Sequence, residues 1–548
     1  MSAPRLASVA ITLAALALVG CGDEGESAAS GPASFVPADS PMAFEVSRES
    51  ADQVGNAEAL IERLGEVPLL GASLDPRDLI QRAIDESAAE EGVDISFAED
   101  IEPWIGDRAV IGITSVASLE ESVVGEAAGV SSEDPDFVIA IEATDESLAR
   151  DAIDRIIAAE EPGEVEEAEV GGQTVKRVLG DEGGLALVDG SVVMGGTDAA
   201  LEAAFSAHEG ESLAEQEEYE AGFEGLPSER LAGFYLDFGV FLELSAGDAD
   251  VEEIEAVRAL YGDALTEPIA VTLSAGENYV ALDGAAGILP TTFPAASPSE
   301  LLDDASAASL AAVGLDDVGG QLKALYDQIL AFITEAEPDG LEPDSFAAGL
   351  EAQLGMSVEE ATGAFGDGVA YVRGELPDRF AVGIEMELPG SSDAPLQILD
   401  EVGQELESSD FRIGPPLNEL GSGFSAERID DEGVGFVNAE IGSDSAKVLL
   451  ASDRATAAAG SAETLADGEL YAQAETLLGD EFELIGLADP AAIIDTFIEG
   501  GSLLDVVTGE ASPEQAVVDF VSDRLEVAAL GSRESDGRAI NRLVLGIR

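Results

Sequence analysis

Apolar residues recur along this chain at two spacings, which together predict a mixture of strands and helices. Phe137, Ile139 and Ile141 alternate with other residues, as is typical of a strand. Asp145 follows at a position suited to a helix N-cap, and Leu148 begins the apolar side of the helix predicted after it. By the same reasoning the first half of the chain carries strands near 42–46, 109–113, 174–179, 185–194, 231–236, 269–273 and 279–285, and helices near 57–64, 76–84, 198–207 and 238–244.

The stretch IEPWIGDRAVIGI, at residues 101–113, combines an aromatic side chain, a Gly-Asp pair and an apolar run. We predict that Gly106 and Asp107 form a turn before a strand at 109–113, since glycine and aspartate favour turns. Trp104 is expected to pack under that strand as a core anchor; the alternative is a platform on which a sugar or an apolar ligand stacks. Asp107 is expected to cap the turn through its carboxylate rather than to act as a base.

The same pattern returns about half a chain later, in the sequence ATGAFGDGVAYV. Gly366 and Asp367 repeat the Gly-Asp pair, and Ala364 stands where the first copy has tryptophan. Asp367 is again expected to cap a turn. Residues 212–219 (SLAEQEEY) and 464–471 (TLADGELY) also correspond, at a shift of 252 positions. Because several elements recur in one order, we predict an internal duplication.

The predicted fold class is therefore α+β, with two related halves that each contain a mostly antiparallel sheet flanked by helices. A length of 548 residues suits two domains. The predicted segments, in chain order, are a signal peptide at 1–20, a flexible tether at 21–34, a first repeat at 35–289, a proline-containing linker at 290–300 and a second repeat at 301–548.

The N-terminal residues have the pattern of an export signal. An apolar run at 9–20 follows a positive charge and is too short to span a bilayer. It ends in Leu18, Val19, Gly20 and Cys21, which resemble the lipobox of bacterial lipoproteins, where the cysteine is acylated with palmitate-type chains. The alternative is an ordinary secretory signal with an incidental cysteine. We therefore expect a protein anchored through acylated Cys21 to the extracytoplasmic face of the cell membrane.

The charge is strongly one-sided. The chain holds 24 Lys and Arg against 113 Asp and Glu, a formal net charge of −89. Such a surface repels phosphate backbones, so no nucleic-acid partner is expected. Acidic turns at 335–340 and 430–433 are interpreted as solvated loops that bind divalent cations weakly at most.

Two motifs carry a family resemblance. VPADSPMAFEV, near the start of the predicted first repeat, and IEPWIGDRAV resemble an uncharacterised bacterial family, "domain of unknown function 3352". The resemblance implies a similar length, an N-terminal signal or membrane segment and a similar architecture. That family has no established activity, so the resemblance implies no catalytic residues.

Residues for most enzyme chemistries are missing from the sequence. His208 is the one histidine and is expected on the surface, and Cys21 is the one cysteine. A Ser-His-Asp, Cys-His or zinc site needs more of these side chains. The sequence also carries no phosphate-binding glycine loop. We therefore predict no catalytic residue, no metal site and no cofactor.

Two functions remain open at this point. The leading interpretation is a non-enzymatic envelope protein that binds another envelope protein or a small apolar ligand. The alternative is a carboxylate-dependent extracellular hydrolase, since an acidic chain always offers pairs of carboxylates. A large apolar groove without converging acids would favour binding, and two acids about 5 to 10 Å apart across a cleft would favour hydrolysis.

Overall fold

The computed structural model divides into two units, each described here by itself. Unit 1 comprises Met1–Asp250 and Leu265–Ala285, and unit 2 comprises Val251–Ala264 and Ala286–Arg548. The structure describes residues 31–64, 66–67, 72–73, 96–114, 136–160, 165–179, 182–237, 239–240, 268–285, 298–336, 342–375, 379–389, 393–408, 411–417, 420–428, 435–458, 463–493, 523–535 and 538–548.

Ten described strands form the main sheet of unit 1. They are β1 Met42–Ser47, β2 Ile105–Ile113, β3 Phe137–Ala143, β4 Val165–Val170, β5 Gln173–Val178, β6 Gly184–Val188, β7 Ser191–Gly195, β8 Ala232–Leu236, β9 Ile269–Ala275 and β10 Tyr279–Ala285. From one edge to the other their order is β4-β5-β6-β7-β3-β2-β1-β8-β9-β10, and every pairing is antiparallel. A separate short hairpin pairs Glu66–Val67 with Ala72–Ser73.

Unit 1 is closed by helices on both faces of its sheet. Trp104 and the π-helical turn Phe97–Ile101 share one core cluster with Ile139 and Ile141. Phe35 and Phe205 belong to a second cluster on the opposite face, because successive strand residues point to opposite sides. The helices of unit 1 are α1 Ala51–Leu64, α2 Glu146–Glu160, α3 Asp198–Glu209 and α4 Glu217–Phe223, with 3₁₀ turns at Pro32–Phe35 and Leu213–Glu215.

Ten further strands form the sheet of unit 2. They are β11 Ser309–Leu315, β12 Gly368–Glu375, β13 Arg379–Glu387, β14 Phe411–Gly414, β15 Ser422–Arg428, β16 Phe436–Ile441, β17 Ser445–Ala451, β18 Glu483–Ala488, β19 Leu525–Ser535 and β20 Arg538–Ile547. Their order is β14-β15-β16-β17-β13-β12-β11-β18-β19-β20, again antiparallel throughout. Each position in this order is occupied by the strand numbered ten higher than in unit 1.

Helices cover unit 2 unevenly. Leu399 of α9 packs against Phe424 and Ala439, so α9 covers β15 and β16. On the other face, Leu477 and Leu478 of α11 approach the final hairpin closely, because glycines there leave room for them. The helices are α5 Glu300–Asp304, α6 Val318–Ala336, α7 Pro343–Leu354, α8 Val358–Thr362, α9 Asp393–Ser408, α10 Arg454–Ala458 and α11 Glu469–Leu478, with a 3₁₀ turn at Leu465–Asp467.

The predicted mixture of helices and antiparallel strands is confirmed, with local corrections. Asp145 caps α2 as predicted, since its Oδ1 accepts from the N–H groups of Ser147 and Leu148 at 2.9 and 3.1 Å. Leu148 itself is 39% exposed, so its expected place on the buried side is wrong. The single strand expected at 185–194 is two strands, because Asp189 and Gly190 adopt positive φ angles of 43° and 77° and form a tight turn.

The predicted helix at 76–84 and the signal peptide at 1–20 lie outside the described residues. So do the whole predicted tether except its last four residues and most of the linker at 290–300. Within the part of the chain that is described, no helix combines the length and the apolar character needed to cross a bilayer.

Candidate functional site

An apolar groove of about 330 Å³ crosses the sheet of unit 2. The strands around it are β11, β12, β13, β18, β19 and β20. The groove lies on the same face of the sheet that α9 covers. The face under α9, on β16 and β17, continues in register across β13 and β12 to β11. The groove begins beyond the strands that α9 covers. Its lining residues are Ala311, Ala312, Val313, Ala370, Tyr371, Val372, Val382, Gly486, Leu487, Ala488, Ala528, Ala529, Leu530 and Leu543.

Cross-strand register arranges the groove in two rows. In the first row Ala311 of β11 pairs with Ala488, and Ala488 pairs with Ala528. Three neighbouring strands thus present only methyl groups in this row. These small side chains form the floor of the groove. In the second row Val313 pairs with Gly486, followed by Leu530 and then Leu543. The larger side chains of the second row form one wall beside the row of alanines.

The chemistry of the lining is almost entirely hydrocarbon. Tyr371 is the one lining residue with a polar side-chain atom, and its hydroxyl donates to Glu385 Oε1 at 2.9 Å. Burial, followed by the nearby Glu385 charge, raises the pKa of Tyr371 to about 12, so the phenol stays neutral. Among the described residues, the lining contains no Asp, Glu, His, Ser or Cys. It can therefore bury an apolar group, and it offers no acid–base pair.

Glu385 belongs to a polar chain beneath the groove. Lys447 Nζ lies 2.9 Å from Glu385 Oε1, on the neighbouring strand. Tyr371 therefore links β12 to β13, and Lys447 links β13 to β17, through one carboxylate. A buried polar group is costly without its partners. These two contacts therefore favour one register of β12, β13 and β17, and this register determines the shape of the groove above them.

Trp104 lies in the core of unit 1. Its side chain is 1% exposed, and its Nε1–H donates to the carbonyl of Asp100 at 2.9 Å. The indole therefore satisfies its one polar group inside the core. This placement matches the expected core anchor, and the ring is enclosed by apolar neighbours that include Ile101 and Ile141.

Gly106 and Asp107 do not form the predicted turn; they lie within β2. A bulge between Ile105 and Ala109 absorbs the extra backbone. Gly106 is needed because a Cβ there would lie 2.6 Å from the Glu142 side chain. Burial and then the nearby Glu142 carboxylate raise the pKa of Asp107, against the lowering effect of a neighbouring arginine. The described hydrogen bonds of Asp107 are made by its backbone rather than by its carboxylate: its N–H donates to Glu142 Oε2 at 3.2 Å, and its carbonyl accepts from Arg48 N–H at 2.9 Å.

The second copy behaves differently. Gly366 and Asp367 precede β12 in an irregular segment, and the Gly366 carbonyl accepts from Val318 N–H at 3.0 Å. Asp367 Oδ1 accepts from Asp317 N–H at 3.0 Å, 50 residues away in the chain, and not from a backbone group of its own turn as expected. Burial, followed by a hydrogen bond with Asp367, raises the pKa of Asp316. The Gly-Asp pair thus supports the start of α6 in unit 2 and a strand bulge in unit 1.

His208 is not the surface residue that the sequence suggested. Its ring stacks on Phe35 with centroids 4.1 Å apart, and its Nδ1 lies 2.8 Å from Ser34 Oγ. The Ser34 hydroxyl also donates to the Gly31 carbonyl at 2.6 Å. On the other side Nε2 lies 3.1 Å from Asp189 Oδ2. His208 therefore fastens the first described residues of the chain to α3.

The remaining predicted residues cannot be placed. Leu18, Val19, Gly20 and Cys21 lie outside the described residues, as do 337–340 and 430–433 of the two acidic turns. Among the residues that are described, no group of three or more His, Cys, Asp or Glu side chains is arranged to hold a metal ion.

Sequence reasoning missed the groove, although a signal was present. The strands around it read AAV, AYV, GLA and AAL, with apolar residues at every position rather than at alternate ones. Continuous apolar strands are buried on both faces. Here the second face is lined by small residues and stays open.

Comparison with known proteins gives a family but no activity. The sequence model of the family described as "Protein of unknown function (DUF3352)" matches residues 1–362, about two thirds of the chain. No curated protein matches. The structure described as "Structure of crystal form I of TP0453" is 11% identical, with 46% of this chain and 77% of that chain covered and a TM-score of 0.22, which is too low to support a shared fold.

Proposed function

This chain belongs to the DUF3352 family of proteins of unknown function, and from that premise we propose that it is a lipid-anchored, extracytoplasmic envelope protein that binds an apolar ligand without chemical turnover. The observation that carries the proposal is the groove of unit 2, whose lining is apolar and contains no carboxylate. Ligand sites of this kind are concave and mostly apolar, with volumes from about 300 Å³ upward. A hydrolase would instead need two acids facing a bound substrate.

A probe of ligand binding tests the proposal directly. The mature chain from residue 21, carrying Cys21→Ser, keeps every described residue and is titrated with the uncharged fluorophore N-phenyl-1-naphthylamine. Ala528→Leu fills the floor of the groove and is expected to weaken binding at least tenfold. The matched control is Ala539→Leu, which adds the same atoms at an exposed position of β20. Equal binding by both variants would exclude the groove as the site.

The anchor rests on Leu18, Val19, Gly20 and Cys21. Acylation of Cys21 supplies membrane affinity, since each buried methylene contributes about 0.8 kcal/mol. Cys21→Ser in the full-length precursor is expected to abolish acylation and the cleavage that depends on it. The variant should then remain as a precursor or leave the membrane fraction. Unchanged partitioning into the detergent phase of a phase-separation assay contradicts the lipoprotein assignment.

We also propose that the two units arose by duplication within the chain. Their strand orders support it, as do two matching backbone hydrogen bonds, Leu213 N–H to Val36 at 2.9 Å and Leu465 N–H to Ala305 at 2.6 Å. Leu213 and Leu465 keep the shift of 252 positions seen in the sequence. An experimental structure in which residues 35–289 and 301–548 fail to superpose strand for strand would contradict this proposal.

A further inference from the structure

We propose that the groove of unit 2 holds an uncharged hydrocarbon chain, such as the acyl chain of a neutral lipid. This inference rests on the proposed function and names its ligand class. It follows from three features: the space that unit 2 leaves open, the absence of hydrogen-bonding groups around it, and the charge of the chain.

The small side chains under the groove distinguish unit 2 from unit 1. In unit 1 the Asp237 N–H donates to Pro41 O at 2.8 Å, and in unit 2 the Asp489 N–H donates to Leu310 O at 2.7 Å. These bonds align β1 with β11 and β8 with β18. With that alignment, positions filled in unit 1 by Met42, Phe44, Phe234 and Leu236 carry Ala311, Val313, Gly486 and Ala488 in unit 2.

The same face also differs in its cover. Ile139 of β3 is 1% exposed and shares a core cluster with Trp104. The ladder register aligns it with Ile384 of β13, which is 39% exposed, and unit 2 has Ala364 where unit 1 has the tryptophan. Among the described residues, unit 2 therefore carries smaller side chains than unit 1 on this face, and it has alanine in place of the tryptophan. An unfilled apolar face costs stability, so a ligand that fills it is the physical reason to keep it.

A peptide does not suit this groove. The backbone groups of β11 are used on both sides, in ladders with β12 and β18, and those of β19 in ladders with β18 and β20. No strand edge is offered inside the groove, so an added strand cannot form hydrogen bonds there. A peptide lying across it would bury its own N–H and C=O groups without partners, which is costly. A hydrocarbon chain has no such groups.

The dimensions fit a long, thin ligand. The groove runs across six neighbouring strands, from β13 to β20. Adjacent strands are about 4.8 Å apart, so the outer strands are separated by roughly 24 Å. Leu543, at the β20 end, is 46% exposed and leaves the groove open to solvent there. A chain can lie across the strands over the row of alanines, with its polar end in water.

Charge selects the headgroup. A formal net charge of −89 makes the average surface potential strongly negative. An anionic amphiphile such as a fatty acid would place its carboxylate in that potential. A neutral head avoids the repulsion, so the groove should prefer an uncharged lipid over an anionic one of equal chain length, most strongly at low salt.

Displacement of N-phenyl-1-naphthylamine by a series of monoacylglycerols tests the ligand class on the mature chain carrying Cys21→Ser. Each fully buried methylene strengthens binding by about fourfold, so affinity should rise steadily with chain length until the groove is full. The fatty acid of equal length should bind more weakly at 0.05 M sodium chloride, and the gap should narrow at 1 M, where the screening length is about 3 Å.

Two variants keep the test independent of folding. Ala528→Leu fills the floor, whereas Leu543→Ser removes an exposed wall side chain that the fold hardly needs. Both variants should lower the affinity for the monoacylglycerols at least fivefold, whereas Ala539→Leu should leave that affinity unchanged. Unfolding curves establish that each variant is folded.

Each contrary result has its own meaning. If displacement does not depend on the length of the acyl chain, while Ala528→Leu still weakens fluorophore binding, the hydrocarbon-chain proposal is overturned. The proposed function, binding of an apolar ligand in the groove, would then stand. If neither groove variant changes fluorophore binding, both proposals fail. A stable dimer in sedimentation that Leu543→Ser dissociates would assign the face to a second copy of the chain and overturn the lipid.

Discussion

Replacing Trp104 by alanine removes the largest fully buried side chain of the described core. The indole is 1% exposed and packs with Phe97, Ile101 and Ile141. The substitution leaves a cavity under β2 and β3, and it leaves the Asp100 carbonyl without its donor from the indole N–H. Unit 1 is expected to lose stability while unit 2 is unaffected.

The magnitude follows from the burial. Truncating a buried tryptophan to alanine costs about 3–5 kcal/mol, including the cavity term. Loss of the hydrogen bond to Asp100 adds about 1 kcal/mol, and we therefore expect the upper part of that range. Domains are stable by only about 5–15 kcal/mol, so Trp104→Ala should bring unit 1 close to unfolding. Trp104→Phe keeps most of the packing and should cost about 1–2 kcal/mol.

Urea unfolding followed by far-ultraviolet circular dichroism measures the loss. In the unsubstituted chain the fluorescence of Trp104, the one tryptophan, reports unit 1 by itself and identifies which transition belongs to it. Phe44→Ala is the matched control, since Phe44 is 39% exposed and its truncation should cost less than half as much. A loss below about 1.5 kcal/mol for Trp104→Ala would refute the core assignment, because no buried tryptophan is that cheap to remove.

Two further predictions concern charge. In the folded state the pKa of the Asp316 carboxyl is raised above its ordinary 3.8. The folded protein therefore binds the proton of this carboxyl more tightly than the unfolded chain does. Its contribution to stability is present at low pH and is lost as the pH rises above 3.8. Asp316→Asn should therefore raise the thermal midpoint at pH 7 and lose its advantage near pH 4; an equal effect at both pH values would contradict the raised pKa of Asp316. Because the full sequence carries a net charge of −89 and the predicted signal peptide contains no acid, the mature chain is also strongly negative. Its thermal midpoint should rise steadily from about 0.05 to 2 M sodium chloride, because salt screens the repulsion between charges that folding brings together. A flat or falling midpoint would show that charge repulsion does not control the stability of this fold.

Local patterns predicted the elements whose apolar spacing is regular. Phe137, Ile139 and Ile141 gave β3 because alternate apolar residues favour a strand. The Asp-Gly pair at 189–190, between two apolar runs, is a strong hairpin signal. The long apolar run around it predicted one strand, and the Asp-Gly signal is the better guide. The strand Val165–Val170 was missed because its sequence, VEEAEV, carries mostly charged residues and little apolar alternation.

The candidate site could not be predicted in the same way. The groove depends on Ala311, Ala488 and Ala528 meeting on neighbouring strands although they are far apart in sequence. Nothing near any one of them indicates that register. The contrast between Gly106 in a strand and Gly366 before one likewise depends on a bulge that tertiary pairing imposes. Long-range pairing therefore decided both the site and the failed turn prediction.

The contacts of His208 with Ser34 and Phe35 determine where a pulling force on the N-terminal part of the chain is applied to the fold. Gly31 follows Cys21 by ten positions in the sequence, so their Cα atoms lie at most about 36 Å apart. If Cys21 is held in a bilayer, any drag on the protein is applied at Gly31. Stacking of Phe35 on His208 and the bond from Nδ1 to Ser34 pass that load sideways into α3. The load is therefore applied to a helix packed against the sheet rather than directly to β1, which is held between β2 and β8.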